Sequence, residues 1–199
     1  MKEKNESSWE IYLKTFDDII NNPTPPVPYD NPLYYDYLKL NRSRQNRWLK
    51  TGVITEKLSD LVKAISDNMT WYIITEPWCG DAAHSVPFLY KIAALNSRIS
   101  VKIIWRDTPP FMIESYLTNG GKAVPKLVAR NEKGEDVFTW GPRPAPCQEI
   151  FLKLKEKEAD FEEQKITLQN WYNQDKGQTL QSEFEVILEE IFTTSQNSN

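Results

Sequence analysis

Apolar residues in the first third of the chain recur at helical spacing. Residues 9–20 and residues 34–50 each carry such a face, and the proline-rich stretch 22–28 between them is expected to be an extended arm. An amphipathic helix follows, with Thr55 as its predicted N-cap. Its apolar positions, spaced i, i+3, i+4 and i+7, are Leu58, Leu61, Val62 and Ile65.

The centre of the chain alternates strand-like and helical patterns. The predicted order is strand, helix, strand, short helix, strand, strand, helix. These elements correspond to residues 71–75, 82–95, 99–106, 109–118, 126–130, 136–140 and a helix from about residue 146. We expect the first two strands to be parallel, joined by a right-handed crossover, and the last two to form an antiparallel hairpin. The pattern predicts an α/β fold with a mixed four-stranded sheet and flanking helices.

The last part of the chain is predicted to be helical. Leu154, Phe161 and Leu168 recur every seven residues and suggest one helix, which Asp175-Lys176-Gly177 ends. A final helix carries an apolar stripe that packs on its own domain or, less commonly, forms a dimer seam. We expect residues 193–199 to be disordered. The predicted sections are an N-terminal extension (1–54), a core (55–156) and a C-terminal helical extension (157–199).

Composition excludes several classes of function. The chain has 199 residues, of which 40% are apolar and 26% charged, and its net charge of −4 argues against nucleic acid as a partner. No apolar run is long enough to span a membrane, and the polar first ten residues lack a signal-peptide pattern, so we expect a cytoplasmic protein. Two cysteines and one histidine do not make a four-ligand zinc site, and we expect no metal and no cofactor.

Cys79 is the residue whose context indicates chemistry. It follows a strand and a proline and opens a helix, where free backbone N–H groups and the helix dipole stabilise a thiolate, the reactive form of cysteine. Trp78 would shield the sulfur, and Gly80 would let a partner's backbone come close. His84, the only histidine, is five residues further on and is expected to be an exposed or partly packed helix residue rather than a base.

The run Trp78-Cys79-Gly80 before a helix resembles the thioredoxin active site, Trp-Cys-Gly-Pro-Cys. Pro87 stands where thioredoxins have a helix-kinking proline, and Val124-Pro125 where they have a cis-proline beside the active cysteine. Trp140-Gly141 matches the glycine that lines their substrate groove. The runs around these residues resemble a bacterial thioredoxin-like family more narrowly. The resemblance implies a thioredoxin-like fold with Cys79 as the catalytic residue. The substrate groove that it implies consists of Trp78, Gly80, Asp81, Val124, Pro125, Trp140 and Gly141.

This sequence departs from the thioredoxin pattern at three positions. Ala82 stands in place of the second active-site cysteine, so Cys79 has no partner for the family's internal disulfide. Ile73 stands where thioredoxins bury an aspartate that helps to deprotonate that second cysteine. Asp81 replaces the intervening proline, and its charge should raise the Cys79 pKa while the helix dipole lowers it. Which effect is larger stays open at this point.

Two further groups of residues belong to the predicted site. Cys147 follows the last strand, which must end on the same side as Cys79, so it is a possible resolving thiol. The proline-rich segment 141–146 is stiff, and we therefore expect the two cysteines not to be bonded at rest. Lys126 and Arg143 flank the predicted groove and could bind a carboxylate, such as that of glutathione.

Three hypotheses about function follow. The leading one is a monothiol protein in which Cys79 exchanges with a protein or low-molecular-weight disulfide, and the partner is then released by an external thiol or by Cys147. The alternative is a non-catalytic module that binds a peptide or protein in the thioredoxin groove. A third, weaker hypothesis is a resemblance to monothiol glutaredoxins, but their Cys-Gly-Phe-Ser motif and Gly-rich motif are not recognisable in this sequence.

Overall fold

The computed structural model describes residues 5–196, which form a mixed sheet with helices on both faces. The strands of this region are β1 (Glu6–Ser7), β2 (Met69–Thr75), β3 (Ile99–Trp105), β4 (Lys126–Asn131) and β5 (Asp136–Trp140). The helices are α1 (Trp9–Ile20), α2 (Pro32–Thr51), α3 (Glu56–Lys63), α4 (Gly80–Ala93), α5 (Ala145–Glu156), α6 (Phe161–Asp175) and α7 (Gln178–Gln196).

The sheet has the order β1-β3-β2-β4-β5. Strands β2 and β3 are parallel and joined through α4, whereas β4 pairs antiparallel with both β2 and β5. The predicted α/β class and strand directions are confirmed, but the sheet has five strands and not four. The additional strand, β1, pairs antiparallel with β3 at one edge. It is two residues long, too short for an alternating pattern to reveal it.

Side chains at the starts of the helices bind the free backbone N–H groups there. The Thr55 hydroxyl accepts the backbone N–H of Leu58 at 3.2 Å, which confirms the predicted N-cap of α3. Asn31 accepts the backbone N–H of Leu33 in the same way at the start of α2. Local signals therefore fix where these two helices begin.

Three predicted helix boundaries are wrong. Residues 109–118 hold only a 3-10 helix, Met112–Ser115, because two prolines precede Phe111, whose φ is 55°. The helix predicted through Leu154 and Phe161 is two helices, α5 and α6, separated by a turn in which Glu158 has a φ of 53°. At the other end of the chain, α7 continues to Gln196, and residues 197–199 of the predicted disordered tail lie outside the described residues.

The C-terminal helix packs on the sheet of its own chain. Phe184 is fully buried, and its ring lies 5.6 Å from the Trp71 ring and 5.9 Å from the Trp140 ring. Leu180 and Leu188 of the same apolar stripe are buried as well. The stripe that could have formed a dimer seam therefore packs into the core of its own chain. The dimer therefore stays a prediction. Residues of α1 belong to this same core, which extends across all three predicted sections.

Among residues 5–196, no helix combines the length and the apolar character that crossing a membrane requires.

Candidate functional site

Cys79 lies at the N-cap of α4, directly after the loop that follows β2. Its sulfur accepts the backbone N–H of Ala82 at 3.4 Å, and its S–H donates to the Val124 carbonyl at 3.2 Å. The residue is only 6% exposed. The sequence places the cysteine correctly at a helix start and beside the Val124-Pro125 loop, but the thiol is much less accessible than the active-site resemblance implies.

Burial decides the protonation of this thiol. Desolvation raises the pKa of Cys79 to about 12, and the Asp81 carboxylate acts in the same direction. The backbone N–H of Ala82 and the Arg143 guanidinium lower the pKa, but by less. The balance that the sequence left open therefore favours the neutral thiol.

Asp81 is part of a buried ion pair. Its Oδ2 lies 2.6 Å from an Arg143 guanidinium nitrogen, and each side chain is 11% exposed. The Tyr172 hydroxyl donates to Oδ1 of Asp81 at 2.9 Å, and the Arg143 guanidinium lies over the Phe151 ring at 3.9 Å. Arg143 is thus bound within the protein and does not offer a free cation to a ligand.

Lys126 also forms its hydrogen bonds within the chain. Its ammonium group donates to the Thr118 hydroxyl at 2.9 Å and to the Gly141 carbonyl at 2.8 Å, and the residue is 8% exposed. The suggested carboxylate site at Lys126 and Arg143 is therefore wrong, because both cations already have partners inside the chain.

His84 is a buried neutral residue and not the exposed or partly packed one that the sequence suggested. It is 4% exposed and stacks on the Tyr172 ring at 4.4 Å. Its Nδ1 accepts the indole N–H of Trp48 at 2.9 Å, and its Nε2 lies 3.1 Å from Oε1 of Gln169. Burial lowers the pKa of His84 to about 3, so the imidazole is uncharged near neutral pH.

The Val124-Pro125 peptide bond is cis, as predicted. The side of the site around it is closed, however. Val124 and Trp140 are 5% and 6% exposed, Pro125 is buried, and the Trp140 indole donates to Glu183 of α7 at 2.7 Å. A Cβ on Gly141, whose φ is 106°, would lie 2.3 Å from the Pro125 carbonyl oxygen. Of these four residues predicted to line a groove, Val124 contacts Cys79, Trp140 packs against α7, and none is part of the lining of the open cleft described below.

Cys147 is fully buried in the first turn of α5. It is not bonded to Cys79, as predicted, since both cysteines are free. Burial raises the pKa of the Cys147 thiol to about 12, and Asp81 adds to this shift. A resolving thiol must reach the mixed disulfide as a thiolate. The structure argues against that role for Cys147, because its thiol is enclosed and protonated.

An open cleft of about 610 Å³ lies on the other side of Cys79, between α2 and α6. Trp78, Cys79, Gly80 and Asp81 form part of its lining. A Cβ on Gly80 would lie 2.2 Å from the Tyr37 hydroxyl, so glycine is required where α2 approaches the start of α4. The walls from α2 and α6 include Leu33, Tyr34, Tyr37, Leu40, Arg44, Phe161, Lys165, Leu168 and Gln169.

The sequence interpretation missed the walls of this cleft. One signal was present, because Tyr37, Leu40 and Arg44 follow the i, i+3, i+7 spacing of one helix face. Two of these residues are apolar or aromatic, yet Leu40 remains 45% exposed. Within residues 5–196, no group of three or more His, Cys, Asp or Glu side chains is placed to hold a metal ion.

The fold and the site define a thioredoxin-like protein with a single cysteine at the start of the helix that follows the central strand. A family model described as thioredoxin matches residues 29–165, more than half of the chain. The chain therefore belongs to the thioredoxin family.

Comparison with solved structures finds distant similarities. One is to PA1234, a protein of unknown function from Pseudomonas aeruginosa, with 11% identity, 97% of this chain and 99% of that chain covered, and a TM-score of 0.49. Another is to the alkylhydroperoxide reductase AhpF of Enterococcus faecalis, with 18% identity, 41% of this chain and 38% of that chain covered, and a TM-score of 0.35. At TM-scores below 0.5, neither supports a conclusion about this chain. A search of curated proteins finds no match.

Proposed function

We propose that this protein is a thioredoxin-fold binding protein that takes a small organic ligand in the cleft beside Cys79. The observation that carries the proposal is that a cleft of about 610 Å³ opens beside Cys79, a residue that is 6% exposed and whose thiol is hydrogen-bonded to the Val124 carbonyl. The volume falls in the range of small-molecule sites, about 300–1,000 Å³. Its walls are mainly aromatic and aliphatic, as in most such sites.

The state of the thiol is the reason for preferring binding over exchange. Exchange requires a thiolate, and burial raises the pKa of Cys79 to about 12, so its thiol is protonated at pH 7. The single cysteine in this position also lacks a resolving partner, because Ala82 replaces the second active-site cysteine and Cys147 is buried. A protonated, shielded thiol is a suitable wall for a binding site but a poor nucleophile.

Fluorescence titration with the neutral dye Nile red tests the proposal. We expect saturable binding of one dye per chain, because the cleft offers an apolar surface that water does not fill well. Leu40→Glu places a charge in the cleft and should abolish this binding. Leu152→Glu is the matched control, since Leu152 is also an exposed leucine on a helix but does not line the cleft. No saturable binding, or equal binding by the two variants, would contradict the proposal.

The second candidate is monothiol exchange at Cys79 with a protein or low-molecular-weight disulfide. Two observations favour it: Cys79 is one of the residues that line the cleft, and its sulfur accepts the backbone N–H of Ala82 at the start of α4. The thiolate would attack one sulfur of the disulfide, forming a mixed disulfide and releasing the other half as a thiolate. An external thiol would then attack the mixed disulfide, regenerate Cys79 and leave with the bound half.

Alkylation with iodoacetamide separates the two candidates. In a Cys147→Ser background, the rate at Cys79 should keep rising with pH beyond pH 9, because the thiolate fraction is still increasing there. The Cys79→Ser variant measures the background rate. A rate that levels off near pH 7 would show a reactive thiolate and would give monothiol exchange the lead.

A further inference from the structure

Arg44 is a buried cation without a counter-charge. It lies on α2, lines the cleft, and is 8% exposed. One of its terminal nitrogens donates to Oδ1 of Asn41 at 2.9 Å, while its Nε is buried and has no hydrogen-bond partner. Among the ion pairs of residues 5–196, none involves Arg44.

Arg143 also lines the cleft and its Nε likewise has no hydrogen-bond partner, but unlike Arg44 it has a carboxylate beside it. Arg143 is buried to a similar extent, and Asp81 lies 2.6 Å from it. A buried charge is normally paired, because removal from water is costly unless an opposite charge compensates. Arg44 is about as buried as Arg143 but has no carboxylate beside it. This indicates that the anion that pairs with Arg44 comes from outside the chain.

The carboxylates that line the cleft are not available to Arg44. Each one already forms an ion pair with a different cation. The pairs are Asp81 with Arg143, Asp36 with Lys39, and Glu162 with Lys165. The Lys165 ammonium, paired with Glu162, lies 5.4 Å from the same Tyr37 ring that Arg44 approaches at 5.3 Å.

We propose that Arg44 binds the oxyanion of a small organic anion whose apolar body lies in the cleft against Leu40 and Phe161. This inference rests on the proposed function and names its ligand class. A guanidinium group is suited to both carboxylate and phosphate oxygens. Tyr34 and Phe161 are 47% and 68% exposed, so they offer aromatic surface to the body of such a ligand.

Isothermal titration calorimetry with matched synthetic probes tests the inference. 4-Phenylbutyrate carries the charge, 4-phenylbutanamide is its neutral counterpart, and phenyl phosphate distinguishes phosphate from carboxylate. We expect at least one of the two anions to bind about tenfold or more tightly than the amide, because charge-assisted hydrogen bonds are about twice as strong as neutral ones. Arg44→Met should remove this preference, so that the anions bind no more tightly than the amide. Lys50→Met, an exposed cation on the same helix, should retain the preference.

The outcomes separate this inference from the proposed function. Equal binding of anion and amide by the wild-type chain, with Nile red still bound, would overturn the anion site and leave the binding cleft in place. Loss of Nile red binding would overturn both. Should Arg44→Met not fold, Arg44→Lys decides, because it keeps the charge but loses the planar fork. An anion preference that Arg44→Lys leaves undiminished would overturn the role of the guanidinium.

Discussion

Replacing Asp81 by asparagine tests how much the buried ion pair beside Cys79 contributes. Asparagine has nearly the same shape and keeps an oxygen that can accept the Tyr172 hydroxyl. It removes the negative charge that lies 2.6 Å from the Arg143 guanidinium. Because both side chains are only 11% exposed, water compensates the lost carboxylate much less than it would at the surface.

The loss of stability expected for Asp81→Asn depends on the burial of the ion pair and not on the distance between its charged atoms. Removing one partner of a buried ion pair destabilises a protein by about 3–5 kcal/mol. The pair Lys14–Asp18 on α1 has the same N–O distance of 2.6 Å, but its side chains are 70% and 60% exposed. Asp18→Asn should therefore cost only about 0.2–0.5 kcal/mol, the usual contribution of an exposed helical pair. The two substitutions delete the same charge at the same separation.

Thermal and urea unfolding, followed by tryptophan fluorescence, measure both costs. For a chain of this size, about 2–4 °C of melting temperature corresponds to each kcal/mol, so Asp81→Asn should melt about 6–20 °C lower. The double variant Asp81→Asn/Arg143→Met should recover part of the loss, because it no longer leaves an unpaired buried charge. Equal losses for Asp81→Asn and Asp18→Asn would refute the reasoning that burial sets the strength of this pair.

Three further predictions concern backbone space and pH. Gly177→Ala should lower the free energy of unfolding by about 1–3 kcal/mol more than Gly120→Ala. Both glycines have a positive φ, but only a Cβ at position 177 would meet an aromatic ring, at 2.5 Å. Equal unfolding midpoints for the two variants would contradict this. Burial raises the pKa of Glu76 to about 7. The stability that its protonated carboxyl group contributes to the fold is therefore fully present below pH 4.5 and is lost as the pH rises through 7. As the pH rises from 4.5 to 7, the free energy of unfolding of Glu76→Gln should therefore increase relative to that of the wild type. Urea unfolding at each pH measures this difference. His84, with a pKa lowered to about 3, contributes stability above pH 6.5 that is lost as the pH falls, and His84→Gln should flatten the acid side of the same profile.

Local patterns explain why most of the core could be predicted. The apolar runs of β2 and β3 and the turn between β4 and β5 are signals contained within about ten residues. Thr55 illustrates the same point, since the cap and the N–H that it binds are three residues apart. The position of Cys79 at a helix start was also predicted from local sequence, whereas the cis bond at Val124-Pro125 was predicted from the family resemblance.

The burial of the site depends on contacts that sequence spacing does not show. The hydrogen bond from Tyr172 to Asp81 joins residues 91 positions apart, and the one from Trp48 to His84 joins residues 36 apart. These contacts exist because residues of both α2 and α6 pack against α4, and they enclose a site that resemblance alone placed at the surface. One local signal was overlooked: Asp160 accepts the N–H of Glu163 and marks a new helix start within the apparent heptad.

The position of Phe184 has a consequence for the limits of the folding unit. The region that defines family membership ends at residue 165, whereas Phe184 fills the space beside Trp71 and Trp140. A fragment cut at the family boundary would leave those two indoles facing water. Such an exposed aromatic surface promotes aggregation. A stable fragment of this protein should therefore extend past residue 165 and include Phe184 of α7.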